Sequence, residues 1–123
     1  LLLIEYPDHN AQYSEQNFND LMNSTGWNGT GSFRDFYEEI SYDQFHPDAT
    51  VDGWYMAENN HDYYGYNQGF TYAVELVRKA VDDAEAAGMD FSQFDNDGDG
   101  WVDALNVVHA GPGAEEGDQS NIW

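Results

Sequence analysis

The chain has no cysteine, which excludes disulfide staples and thiolate metal sites. It is almost as poor in positive charge. Three basic residues, Arg34, Arg78 and Lys79, stand against 24 acidic ones, for a formal charge of -21. Such a polyanion has no basis for binding nucleic acid or anionic membranes, since both require clustered cations. No apolar run approaches the ~18 residues of a membrane span. The HExxH signature of a zinc-binding helix is missing, as are GxSxG, a P-loop and a complete dinucleotide fingerprint. High charge raises the question of disorder. A hydrophobic fraction of 41% and an aromatic fraction of 16% answer it: 123 residues of this kind bury one core.

What is present in excess is carboxylate, and one stretch organises it: Asp95-Asn96-Asp97-Gly98-Asp99-Gly100-Trp101-Val102-Asp103. Four carboxylates in nine residues repel one another unless a cation lies among them. Asp95, Asp97 and Asp99 alternate, and Gly100 occupies the sixth position, where an EF-hand-type loop turns sharply. The Trp101 carbonyl then takes the backbone-ligand position and Asp103 the ninth. Hard oxygen donors in this number favour Ca2+ over zinc or copper. The twelfth position, a bidentate Glu in an EF-hand, is Asn106 here. The expectation is therefore a DxDxDGxxD calcium loop entering a strand, closed by Asp103 or by a ligand from elsewhere. The competing reading is a solvated acidic turn without an ion.

Along the chain, Leu1 to Glu5 reads as a buried strand stopped by Tyr6-Pro7-Asp8. Ser14 reads as the N-cap of a helix ending at Asn23, and Ser32 as the N-cap of a second, Phe33 to Ile40. Arg34 and Glu38 are spaced for an i,i+4 ion pair. Ala49 to Ala57 alternates loosely, as an edge strand does, and Asn59 to Gly69 is expected to form an aromatic loop that covers a core edge or binds a ligand. Phe70 to Ala87 is the longest helix, with Phe70, Ala73, Val74, Val77, Val81 and Ala84 on its apolar face and Gly88 as its stop. Val102 to Val108 is expected as a central strand covered on both faces. This order gives a layered α/β class, a mixed sheet with packed helices.

Four histidines, His9, His46, His61 and His109, show no i,i+4 pairing. His109 stands where a strand emerges, a position that attracts ligands in α/β sheets, although a lone histidine there more often serves structure. Glu115 and Glu116 are read as a solvated turn ahead of an acid/base pair.

The runs Ser32-Phe33-Arg34-Asp35-Phe36-Tyr37-Glu38-Glu39-Ile40-Ser41-Tyr42, Gly53-Trp54-Tyr55 with Tyr63-Tyr64-Gly65, and Phe91 to Gly100 continuing through Val102-Asp103-Ala104-Leu105 and His109-Ala110-Gly111-Pro112-Gly113-Ala114-Glu115-Glu116 resemble successive blocks of one family. They are similar to the catalytic domain of the immune inhibitor A family of secreted bacterial zinc metalloproteases. The resemblance implies a metzincin-like N-terminal subdomain over residues 1–123, incomplete, with the Zn2+ site carried on a downstream HExxH helix. It implies that no residue here is a zinc ligand or general base, and that Asp95, Asp97, Asp99, Trp101 and Asp103 hold structural Ca2+. The implied partners are the remainder of the catalytic domain and protein or peptide substrates, and the implied location is extracellular.

Leu1-Leu2-Leu3-Ile4 opens inside an apolar run and Asn121-Ile122-Trp123 ends abruptly, so the expectation is a portion of a longer protein. The alternative is a non-catalytic calcium-binding or adhesion module that retains the fold.

Overall fold

Strand β1 (Leu2–Glu5) is the run with apolar residues facing both ways, and it takes the middle of the sheet. The computed structural model describes residues 1–65, 71–118 and 120–122. In it β1 pairs in parallel with β2 (Asp52–Met56) on one side and β3 (Val107–His109) on the other. Leu2, Leu3 and Ile4 are each no more than 1% exposed. Burial of this completeness stabilises by roughly 1.5–3 kcal/mol per side chain.

Parallel neighbours cannot be joined by a hairpin, so the chain must cross over between them. Between β2 and β3 it does so through α3 (His61–Gly65) and α4 (Thr71–Ala86). Leu76, Ala80 and Ala84 of α4, spaced four apart, are its buried line, and they join Leu2, Ile4, Tyr6, Ala57, Tyr64 and Ile122 in one core. Beyond α4 the Met89 N–H reaches the Ala84 carbonyl and the Gly88 N–H that of Glu85, both at 2.9 Å. This Schellman arrangement satisfies the final carbonyls and turns Met89 back against the core.

The chain divides into two compact units, residues 1–12 with 52–123, and residues 13–51. The second holds α1 (Glu15–Asn23) and α2 (Phe33–Ile40), each opened by a complete capping box, on Ser14 with Asn17 and on Ser32 with Asp35. Asp35 also accepts from the Gly26 N–H at 2.7 Å, tying the preceding loop to its helix. Asn23 exchanges two hydrogen bonds with the backbone of Ala49. The Arg34–Glu38 pair forms at 2.7 Å, and His46 approaches the same carboxylate oxygen at 2.8 Å.

The α/β class stands, and four local expectations change. The strand expected at Val102–Val108 is confined to Val107–His109. Residues 102–106 are exposed, and β3 is a flank of the described sheet rather than its centre. The reason is that β1 offers three consecutive buried apolar residues, whereas the stretch leading to β3 remains tied to the acidic loop. The strand expected at Ala49–Ala57 narrows to Asp52–Met56. Part of the aromatic loop is helix: His61 and Tyr64 are buried, and Tyr63 stacks on Tyr72 of α4 with ring centres 4.4 Å apart. This segment covers the core; Tyr66 to Phe70 lie outside the described residues. On α4, Val74 is 45% exposed, because the apolar face centres on Leu76, Ala80 and Ala84 and leaves Val74 at its margin.

Candidate functional site

Two groups of metal-ligating side chains lie in the unit that contains the sheet, and their construction differs. The first is the acidic loop. A short turn of 3-10 helix, Phe91–Phe94, leads into it, with Asp90 as its N-cap. The Asp103 N–H donates to the Phe94 carbonyl at 2.9 Å and closes the loop at its base. Inside, Asp95 collects backbone N–H groups from Gly98, Asp99 and Gly100 at 2.8, 3.1 and 2.9 Å. Gly98 and Gly100 both have positive φ, 74° and 89°, the left-handed backbone a tight carboxylate-centred turn requires.

One carboxylate oxygen from each of Asp95, Asp97 and Asp99 lies within 4.8 Å of the others. Asp103, the fourth residue expected in the set, instead accepts from the backbone and side-chain amides of Asn96, at 2.9 and 2.6 Å. These bonds, backbone first, hold its pKa below the ordinary carboxylate value. Trp101 is 76% exposed beside the loop. The arrangement thus unites three of the expected side-chain ligands and leaves Asp103 as a brace across the loop.

The second group was not visible in the sequence. After β1 the chain folds tightly through Pro7-Asp8, with Tyr6 and His9 exchanging backbone hydrogen bonds at 2.9 and 3.1 Å. Asp8 accepts from the His61 N–H at 3.0 Å, satisfying the opening turn of α3 from 53 residues away. His109 ends β3. The result is that His9, His61 and His109 follow the carboxyl ends of β1, β2 and β3 respectively and meet. Ring centres are 4.8 Å apart for His9 and His61, and 5.5 Å for His61 and His109. Tyr6 lies edge-on to His61 at 4.9 Å.

Gly111 closes the group from the next turn. Its φ is +87°, and a Cβ placed there would stand 3.0 Å from the His9 ring and 3.3 Å from the His61 ring. Burial chiefly, then the neighbouring His109 and His9 rings, lower the pKa of His61 and favour the neutral imidazole. Burial pushes the Tyr6 phenol well above its ordinary range. Burial works in the same upward direction on Asp8, but the His61 N–H and the His9 ring outweigh it and its pKa falls.

His109 is hydrogen-bonded to the Ala110 carbonyl, as a structural histidine at a strand end would be, but it is not alone there, since it belongs to a group of three. Only the order of parallel strands brings these residues together, and no spacing in the sequence encodes that. Glu115 and Glu116 are exposed on a short turn, as expected of a solvated pair. In the other unit Glu38, Asp43 and His46 also bring ligand atoms within 4.8 Å, but Glu38 is already engaged by Arg34 and His46.

Residues 5–122 match the family model described as immune inhibitor A peptidase M6, catalytic domain. Immune inhibitor A of Bacillus thuringiensis subsp. alesti is 32% identical over 106 residues, covering 70% of this chain. The matched region is 15% of that relative's length. No solved structure matches.

Proposed function

The chain belongs to the immune inhibitor A peptidase M6 family, and from that premise we propose that it is the N-terminal portion of the catalytic domain of a secreted, calcium-stabilised zinc metalloendopeptidase. The observation that carries the reading is the match of residues 5–122 to the family's catalytic domain. The loop supports the calcium component: three carboxylates are gathered by local backbone hydrogen bonds rather than dispersed into solvent.

The catalytic zinc of such an enzyme does not fit the residues present. No two histidines here are spaced one helical turn apart around a glutamate, so the hydrolytic step belongs to sequence other than these 123 residues. Calcium does fit. Asp95, Asp97 and Asp99 would hold it, with the Trp101 carbonyl and the Asp103 oxygen that Asn96 leaves unbonded as the further oxygen donors. Bound there, the ion would offset carboxylate repulsion and fix the approach to β3, a structural role. The work of this chain is then to build the parallel sheet and hold its loops, while peptide substrates meet the machinery of the remaining domain.

Hydrolysis of casein by the protein that carries this chain is the test. Loss of activity on zinc chelation, with recovery on zinc addition, is the expected result. Zinc-independent cleavage, or cleavage by the 123 residues alone, would contradict the proposal. A protein that takes up calcium without cleaving anything would favour the non-catalytic module instead.

A further inference from the structure

We propose that His9, His61 and His109 form a binding site for one transition-metal ion of the zinc class, at the carboxyl ends of the three parallel strands. In α/β sheets that edge is where ligands collect, and each strand here delivers one histidine to it.

The first support is the state of the rings. His109 Nδ1 lies 2.9 Å from the Ala110 carbonyl. A carbonyl can only accept, so Nδ1 carries the proton and Nε2 keeps its lone pair. The Pro112 carbonyl offers the His61 ring an acceptor in the same turn, and His61 Nε2 is buried without a partner. A ring held by one N–H on a backbone carbonyl, with the other nitrogen bare, is the usual state of a metal-ligating histidine.

The second support is orphaned polarity. Among the described residues three buried side-chain atoms lack a hydrogen-bond partner, Tyr6 Oη, His9 Nδ1 and His61 Nε2, and all three belong to this one cluster. His61 is 2% exposed and Tyr6 fully buried. Polar atoms so placed are destabilising unless something satisfies them.

The third support is dimension. Two imidazoles on one tetrahedral ion at ordinary zinc–nitrogen distances have ring centres roughly 5 Å apart. The neighbouring pairs here stand at 4.8 and 5.5 Å. The nitrogens of the three rings are not drawn within 4.8 Å of one another as the loop oxygens are. Uptake therefore turns His9, whose side chain is 39% exposed, away from its 3.4 Å approach to the Asp8 carboxylate. Nitrogen donors select zinc, nickel or copper over calcium, so the two sites do not compete for one ion.

Cobalt(II) titration of the full chain, with calcium saturating, tests this directly. The expected result is one equivalent of cobalt with the visible absorption of a nitrogen-ligated tetrahedral ion, displaced by zinc. His61→Gln and His109→Gln should weaken uptake at least 10- to 100-fold, the range that outer-shell partners alone command. Because His61 is buried, His109, which is only partly buried, keeps the test intact if the first variant fails to fold. Asp97→Asn should leave the cobalt band unchanged. Absence of the band in the unsubstituted chain, its persistence in His109→Gln, or its loss in Asp97→Asn would each overturn the proposal.

Discussion

The acidic loop and the histidine cluster present metal-ligating side chains in opposite ways. The loop draws Asp95, Asp97 and Asp99 from five consecutive positions. It lies largely in solvent, and its geometry comes from backbone N–H groups a few residues away. The cluster draws its rings from positions 9, 61 and 109 and buries the middle one. Its geometry comes from strand register, with Leu2, Leu3 and Ile4 facing Val107, Val108 and His109. The lesson is one of dependence. A local loop forms its site wherever its own turns form, whereas a site at a sheet edge exists only when the core beneath it does.

Removing core volume should separate the two most widely. Ile4→Ala deletes a fully buried side chain of β1 and should cost about 2–5 kcal/mol. Tyr6 and His9 follow that strand directly, so the contact between His9 and His61 should weaken with it. Terbium emission sensitised by Trp101, a reporter of the loop, should fall far less at temperatures where the variant remains folded. Equal losses of both signals would show that the loop depends on the core as much as the cluster does.

Glycines offer a finer contrast. Gly111→Ala introduces both a left-handed φ and a crowded Cβ, 3.0 Å from His9, and should cost about 1–3 kcal/mol with displacement of the histidine rings. Gly100→Ala has the same backbone problem but open space around the new atom. It should cost about 1 kcal/mol and alter ion uptake by the loop while leaving the histidine resonances in place. Chemical denaturation with histidine NMR would check both. Costs in the reverse order would break the comparison.

The smallest effect is expected at Asp35, which belongs to neither site. The Ser32 and then the Gly26 N–H groups hold its pKa below the ordinary 3.8. With the folded value depressed, its stabilisation is complete above the unfolded value and is lost as pH falls through the folded one. Asp35→Asn should thus lower the melting temperature slightly above about pH 5, where the stabilisation is complete, and flatten its decline below about pH 4. An unaltered acid limb would contradict this.

Sequence made the local features plain for the same reason that the loop is robust. Ser14 and Ser32 cap their helices through residues three positions on, Arg34 meets Glu38 one turn away, and the alternating aspartates gather by their spacing. The features that escaped notice depend on non-local packing. Val102 to Asn106 is apolar enough to pass for a central strand, yet β1 takes that place. Leu76 and Ala80 carry the buried face of α4 because of where the sheet lies, whereas periodicity places Val74 on that face and passes over both. The meeting of His9, His61 and His109 is a property of the β2-β1-β3 strand order, and an even spread of histidines along a chain gives no hint of it. Asp103 illustrates the intermediate case: its spacing marks it as a ligand, and in the structure one of its two carboxylate oxygens accepts from both Asn96 amides.

Calcium titration of thermal unfolding tests the central claim most directly. With a dissociation constant of ~10 μM and ~1 mM free ion, linkage gives about 2.7 kcal/mol of stabilisation, a rise in melting temperature of roughly 10 °C for a chain of this size. The rise should vanish with chelator and should be mostly absent in Asp99→Ala. A melting temperature indifferent to calcium in the unsubstituted chain would contradict the account.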